Sequence, residues 1–265
     1  MKVLGIVGSP RGERGRSYQV VEAILGGARD AGAQVEVMSL VKEQPQYCIH
    51  CGHDCFSKGD CIQEEGATTR SQRIETADAL VIAVPVYCWQ PCGLTVALFD
   101  KMRLMTGAWS REGEHGKPAL GIAVAGGTGT GVFPALQSIY AWLCLWKYRP
   151  LAPLPVMRFN LERLLVEAPS YGQALAQCVP QPYAGVWELM LTYDHLPYMD
   201  YRRIDEFRWL AEQAVAGLHD REGLADQIAD VQRLLDEGGV LAETDDEIGA
   251  AKAYIEAYRL GASLW

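Results

Sequence analysis

Residues 2–8 run apolar without alternation and stop at Ser9 and Pro10, the pattern of a strand buried on both faces that enters a tight loop. Over 17–31 the apolar positions Val20, Val21, Ile24, Leu25 and Ala28 return at the helical period, and Gly32 stops the helix. The same alternation continues down the chain. It predicts a second strand at 34–40, a helix at 68–76, a third strand at 79–86 and a helix at 93–105. A fourth strand follows at 117–125, then a glycine-rich loop at 126–131 and a strongly apolar helix at 133–146. In that helix Trp142, Leu143, Leu145 and Trp146 read as core. Residues 151–159 predict a fifth strand, and Pro150, Pro153 and Pro155 place it at a sheet edge because proline donates no ladder hydrogen bond.

Strand and helix thus alternate five times, which specifies a doubly wound α/β fold with a parallel sheet between two helical layers. In such sheets ligands bind beyond the carboxyl ends of the strands, where the strand order reverses. The three loops with unusual chemistry each follow a strand: residues 8–17, 85–93 and 126–131. Their convergence on one crevice is the expectation.

Beyond residue 160 the pattern changes to amphipathic helices. Residues 201–218 repeat apolar positions from Ile204 and Phe207 to Leu218, and 224–235 do so from Leu224 to Leu235. Thr244 to Glu247 reads as a capping box ahead of a last helix carrying Ile248, Ala251, Ile255 and Tyr258. These stripes must be buried on the core or on a second subunit, or they form a substrate lid. Asp194, His195, Tyr193, Tyr198 and Tyr201 are either side chains that reach the crevice from the extension or, as the plainer reading, a surface loop.

Composition narrows the function classes. The chain has 265 residues, 49% hydrophobic, enough for a packed core. A net charge of −9 argues against nucleic-acid and anionic-membrane partners, which need clustered Lys and Arg. Nothing approaches the roughly 18 consecutive apolar residues of a membrane span, and the first apolar run is too short for a secretory signal. A cytoplasmic location is the expectation, and there eight cysteines read as ligands, reactive thiols or core residues rather than disulfides.

Four of them, Cys48, Cys51, Cys55 and Cys61, lie at spacings of two, three and five intervening residues between the second strand and the next helix. Thiolates at such spacings suit an iron–sulfur cluster or tetrahedral zinc. His50 and His53 are alternative zinc ligands, and thiols on a contact loop without any ligand are the plain reading. The loop from Gly8, Ser9, Pro10 and Arg11 to Gly15, Arg16 and Ser17 opens a helix, where backbone N–H groups and the helix dipole favour a phosphate. Ser9 and Ser17 supply hydroxyls, Arg11 or Arg16 a charge. The loop is neither a P-loop nor a dinucleotide glycine fingerprint.

Gly8-Ser9-Pro10-Arg11 with Gly15-Arg16-Ser17, then Pro85-Val86-Tyr87 before Gly93, then the glycine loop from Gly126, together resemble the flavodoxin-like NAD(P)H-dependent FMN reductases. The four cysteines resemble, more narrowly, the iron–sulfur flavoprotein branch. The resemblance covers about residues 1–160 and implies a flavodoxin-like five-stranded parallel sheet of order 2-1-3-4-5. It implies an FMN-binding domain over 1–160 with a cluster loop at 45–66, and a helical extension over 161–265 as lid or oligomer contact. It further implies that Ser9, Arg11, Arg16 and Ser17 hold the FMN phosphate, and that Pro85, Val86, Tyr87, Cys88, Trp89, Gly126, Gly127 and Thr128 flank the isoalloxazine. Cys48, Cys51, Cys55 and Cys61 would then ligate a [4Fe–4S] cluster, with zinc as the alternative. This sequence departs from the branch by one additional residue between its second and third cysteines, and it carries Cys88 and Cys92 where an aromatic and a small hydroxyl residue are common. A redox pair is one reading of those two cysteines, small core or loop residues the plainer one.

Three functions are open at this point. The first is an oxidoreductase moving electrons between NAD(P)H or a ferredoxin-like donor, FMN and a [4Fe–4S] cluster, on to a small-molecule or protein acceptor. The second is an NAD(P)H reductase of a quinone or aromatic compound with zinc or no metal in the cysteine loop. The third is a non-catalytic binding module. A homodimer or homotetramer, with the later helices as contact surface, is the expected assembly. Those helices look dispensable for holding a cofactor.

Overall fold

The computed structural model of the protein describes residues 1–101, 116–218, 221 and 223–265. Strands β1 (Lys2–Val7), β2 (Gln34–Ser39), β3 (Ala79–Tyr87), β5 (Pro118–Val124), β6 (Arg149–Pro150) and β7 (Leu154–Val156) pair in parallel, in the order β2-β1-β3-β5 with β6 and β7 side by side along the far edge. Counting β6 and β7 as one broken strand, this is the expected order. Among the described residues only β4 (Gln90–Pro91) runs antiparallel, folded back on the end of β3.

Strand residues alternate between two cores. Val3 and Val7 face Val20, Val21 and Ile24 of α1 (Arg16–Asp30). Leu4 and Ile6 face the opposite layer, where Ile74 of α4 (Glu65–Thr76) and Leu136 and Ile139 of α6 (Val132–Leu145) are buried. The short turns α2 (Leu40–Glu43) and α3 (Cys55–Lys58) lead into that layer, and α5 (Gly93–Lys101) completes it. The helix expected at 93–105 starts as predicted, and its part beyond Lys101 lies outside the described residues. Trp142, Leu143 and Trp146 are buried as core, whereas Leu145 is 40% exposed.

Two helices are absent from the sequence reading. One is α7 (Leu161–Gln177), which lies along α1. A Cβ at Gly27 would collide with the Pro169 backbone, and one at Gly172 with Ile24 O, so the backbones meet with nothing between them. Pro169 inside this helix hid it, since proline removes an amide donor and ordinarily breaks a helix. The other is α8 (Val186–Asp194). It carries Tyr193 into the core, where its hydroxyl and that of Tyr183 both donate to Tyr148 O at 2.7 Å. The surface-loop reading of Tyr193 is thereby corrected; burial of a ring with its hydroxyl satisfied is favourable in a way periodicity does not reveal.

The last three helices are α9 (Arg203–Ala216), α10 (Ala225–Glu243) and α11 (Glu247–Ser263). Trp209, Leu210, Ala211, Ala214, Val231, Tyr254 and Ala257 join the core on the α6 side of the sheet. The stripe expected for the last helix is turned mostly outward: Ile248 is 70% exposed and Ala251 and Ile255 are half-buried, while Ala250, Ala253, Tyr254 and Ala257 face the core. Phe133 of α6 stacks on Tyr198 at 4.7 Å and meets Trp209 edge-on at 5.0 Å. The cap of α11 is Asp246, accepting from Gly249 N at 2.9 Å, not Thr244. Thr244 instead ends α10, its hydroxyl donating to Leu241 O at 3.1 Å. Tight packing of the two helices leaves a one-residue turn, Asp245 at φ 60°, and shifts the cap. Among the described residues no helix is long and apolar enough to cross a membrane.

Candidate functional site

The loops after β1, β3 and β5 emerge at the carboxyl ends of the strands on both sides of the β1/β3 junction, where the strand order reverses. In the first, Ser9 and Ser17 are buried, at 3% and 1% exposure, while Arg11 and Arg16 are exposed at the rim. Ser9 Oγ accepts from Arg11 N at 3.2 Å. A Cβ at Gly15 would lie 2.6 Å from Ser9 Oγ, so the loop curls closely over the helix start. Gly15 offers no side chain to cap α1, and no acidic residue occupies its first turn. The leading amides of α1 and their partial positive charge therefore meet no carboxylate from their own helix.

The second loop is a two-residue hairpin. Tyr87 pairs with Gln90 across it, and Cys88 and Trp89 sit in the left-handed region at φ 50° and 65°. That backbone matches the twist of a tight hairpin and costs a residue with a Cβ about 1–2 kcal/mol. Pro85 is buried and Val86 half-buried, whereas Tyr87, Cys88 and Trp89 are exposed, Tyr87 at 47% and Trp89 at 37%. Cys92 is buried and its thiol donates to Gly8 O at 2.9 Å, tying this loop to the first. Cys88 and Cys92 are thus placed differently, one at the surface and one in a structural hydrogen bond, and the pair reading loses its support.

Gly126, Gly127 and Thr128 of the third loop are exposed. Gly131 has φ 87°, and a Cβ on it would lie 2.6 Å from Trp89 Cα, so the second and third loops touch. The third loop is also held from behind. Tyr258 of α11 donates its hydroxyl to Thr128 O at 2.7 Å. Glu206 of α9, 1% exposed, accepts from Gly131 N through Oε2 and from Phe133 N through Oε1, both at 2.9 Å. Burial pushes the Glu206 carboxyl above the ordinary carboxylate range, and hydrogen bonds from Gly131, Phe133 and Val132 offset only part of that. Neither Glu206 nor Tyr258 was a sequence candidate. Their partners lie 75 and 130 positions away, and local spacing carries no signal for such contacts.

The four cysteines line one cavity of about 300 Å³ on the α4–α5 side of the sheet. Glu64 closes the base of this loop, accepting from Gln46 N at 3.2 Å and pairing with the buried Arg70. Gly52 and Gly59, at φ 82° and 70°, turn the chain on either side of Cys55. Cys55 starts α3, capped by Asp54. Lys101 at the end of α5, with its side chain 4% exposed, donates to Cys61 Sγ at 3.4 Å. His53 faces Asp60 at 2.5 Å, and both His50 and His53 line the same cavity as the thiols. Among the described residues no three His, Cys, Asp or Glu side chains sit close enough to hold a metal ion as they stand. The donor chemistry of the cavity nevertheless fits soft-metal ligation: four thiols around one space, with a buried ammonium beside them to offset thiolate charge.

Residues 1–150 match the family described as NADPH-dependent FMN reductase. An iron–sulfur flavoprotein of Archaeoglobus fulgidus is 31% identical over 102 residues, 38% of this chain and 46% of that protein. One from Methanocaldococcus jannaschii is 28% identical over 151 residues, 57% of this chain and 75% of that protein. The chain therefore spans less than half the length of the first of these relatives. Among solved structures, RosB with bound 8-demethyl-8-formylriboflavin-5′-phosphate superposes with a TM-score of 0.54 at 16% identity, covering 77% of this chain and 95% of that one. A Klebsiella pneumoniae protein assigned as a quinone reductase gives 0.50 at 16% identity, covering 68% and 86%. At these identities the likeness is one of fold.

Proposed function

The chain belongs to the NADPH-dependent FMN reductase family, and from that premise we propose that it is an FMN-dependent oxidoreductase. In this reading it moves electrons between NAD(P)H or a ferredoxin-like donor, FMN and a [4Fe–4S] cluster held by Cys48, Cys51, Cys55 and Cys61. The observation that carries the reading is the meeting of three strand-end loops in a chain that also gathers four thiols around a cavity. FMN, when bound, supplies the exchange of electrons in pairs with a nicotinamide and singly with a cluster.

Each part of the crevice has a role in this proposal. Three helices begin at these loops, α1, α5 and α6, and helix starts attract anions. The first turn of α5 from Gly93, however, carries no basic side chain and its Thr95 is fully buried. The amides of α6 are already taken by Glu206, whose charge repels a second anion. The phosphate therefore belongs at α1, where the Ser9 and Ser17 hydroxyls are buried against the helix start and Arg11 and Arg16 stand at the rim. Tyr87, Cys88, Trp89, Gly126, Gly127 and Thr128 present exposed ring and backbone surface for a planar heterocycle. Ligation by the thiols requires loop 48–61 to draw inward, which its glycine turns permit, and Lys101 stays to balance the added negative charge.

Protein purified anaerobically should show flavin absorption together with a broad visible shoulder that dithionite bleaches, and should contain iron. Flavin bands with stoichiometric zinc and no iron would replace the cluster by a structural metal and favour reduction of a quinone or aromatic acceptor. A colourless protein that takes up no FMN would reject the oxidoreductase reading.

A further inference from the structure

The helical extension reaches the glycine loop at two points, and the sterics of the crevice explain why. The hairpin at Trp89 and the glycine loop approach so closely that position 131 tolerates no side chain: a Cβ there would overlap Trp89 Cα and its indole ring. Gly131 is also the residue that precedes α6, where a serine, threonine or aspartate would ordinarily cap the free amides. The close approach of the two loops thus removes the local cap. The replacement comes from Glu206, whose two carboxylate oxygens take Gly131 N and Phe133 N from a helix 75 positions away. At the other end of the same loop Tyr258 holds Thr128 O, and Arg203, in the first turn of α9, lies 5.2 Å over the Trp89 ring.

We propose that Glu206 is a positioning residue of the flavin site, fixing the glycine loop in its binding geometry against the Trp89 hairpin. This rests on the FMN reading above. A loop of Gly126, Gly127, Gly129 and Gly131 has large backbone freedom to lose when it closes on a planar ligand. Two hydrogen bonds to a buried carboxylate restrict that freedom before the ligand arrives, and rigidity supplied in advance appears as affinity. The extension is then a wall of the site, required by the same packing that brings the two loops together.

The test is a titration of apo-protein with FMN, followed by flavin fluorescence, with visible circular dichroism of the bound flavin and the apo-protein melting temperature recorded alongside. Glu206→Gln keeps the shape and one acceptor, Glu206→Ala removes both. Asp246→Ala serves as control, because it uncaps α11 without touching the glycine loop. The expected result is a weakening of FMN binding by about tenfold or more in Glu206→Ala, a smaller loss in Glu206→Gln, and altered flavin dichroism in both, with Asp246→Ala lowering only the melting temperature. Should Glu206→Ala not fold, the Glu206→Gln affinity and dichroism decide. Wild-type FMN affinity and dichroism in the Glu206 variants would overturn the proposal, as would an equal loss of affinity in Asp246→Ala. Wild-type protein that binds no FMN would overturn the underlying reading and this proposal with it.

Discussion

Ser9 and Ser17 are the hydroxyls that the proposed FMN site sets against the phosphate. Both are buried at the start of α1, where the chain leaves a fully buried strand and the first amides of a helix point outward. In the proposed FMN site a carboxylate at either position would put negative charge beside the phosphate, at a few ångströms and with little water between. Ser9→Asp combined with Ser17→Asp is therefore expected to abolish FMN retention, read as flavin content of the purified protein. Unchanged content would move the phosphate elsewhere. The cysteines act at a different place. Replacing any one of Cys48, Cys51, Cys55 or Cys61 by alanine should lower iron content and the visible shoulder while leaving FMN content unchanged, since the crevice loops hold none of these four thiols. Loss of both cofactors together would mean that the loop is needed for folding rather than for ligation.

Elements are joined here by charge as well as by apolar packing. Glu36 on β2 receives Lys2 of β1 and Arg73 of α4, each at 2.6 Å, and Arg73 also reaches Glu43 at the end of α2. Burial alone would raise the Glu36 carboxyl, but the hydrogen bonds from Lys2 and Arg73 outweigh it and hold the group below its ordinary value of 4.5. A carboxylate with a depressed value contributes stability that is complete above 4.5 and is lost as the pH falls through the depressed value. The side chains are about a quarter to a third exposed, so screening keeps the contribution modest. Glu36→Gln should cost roughly 0.5–1 kcal/mol at pH 7 in urea unfolding, and the difference from wild type should close as the pH drops below the ordinary carboxylate range. A difference independent of pH would show that the loss is one of packing. At the same scale, Gly27 and Gly172 are small where α7 and α1 cross with backbones in contact.

For the whole molecule, the extension is the part whose role changes most between sequence and structure. Much of its apolar surface is buried against α6 and the sheet, with Tyr198, Tyr201 and Trp209 enclosing Phe133, while Trp187, Leu191 and Ile248 stay exposed. The earlier expectation, that the later helices can be spared without losing the cofactor, gives way to a stricter one. Deleting residues 201–265 removes Glu206, Tyr258 and the cover of Phe133 together. The truncated chain should expose apolar surface, seen as binding of a hydrophobic dye, and should not retain FMN. A folded truncated protein that binds FMN as tightly as the full chain would show that the extension lies outside the site.

The alternation of buried strands and amphipathic helices, the edge position of the proline-rich strand and the three loops beyond strand ends were all legible in order along the chain. Each depends on neighbours within a few residues, where hydrophobic period, glycine and proline act directly. The four-cysteine loop was legible for the same reason. What lay beyond the sequence were the contacts that join distant segments: Glu206 capping a helix that Gly131 cannot cap, Tyr258 on the glycine loop, Cys92 on Gly8, and α7 against α1 through two glycines. Burial and close approach decide these, and both are set only when the layers pack. Local pattern placed the crevice; the tertiary structure alone determined what holds it in shape.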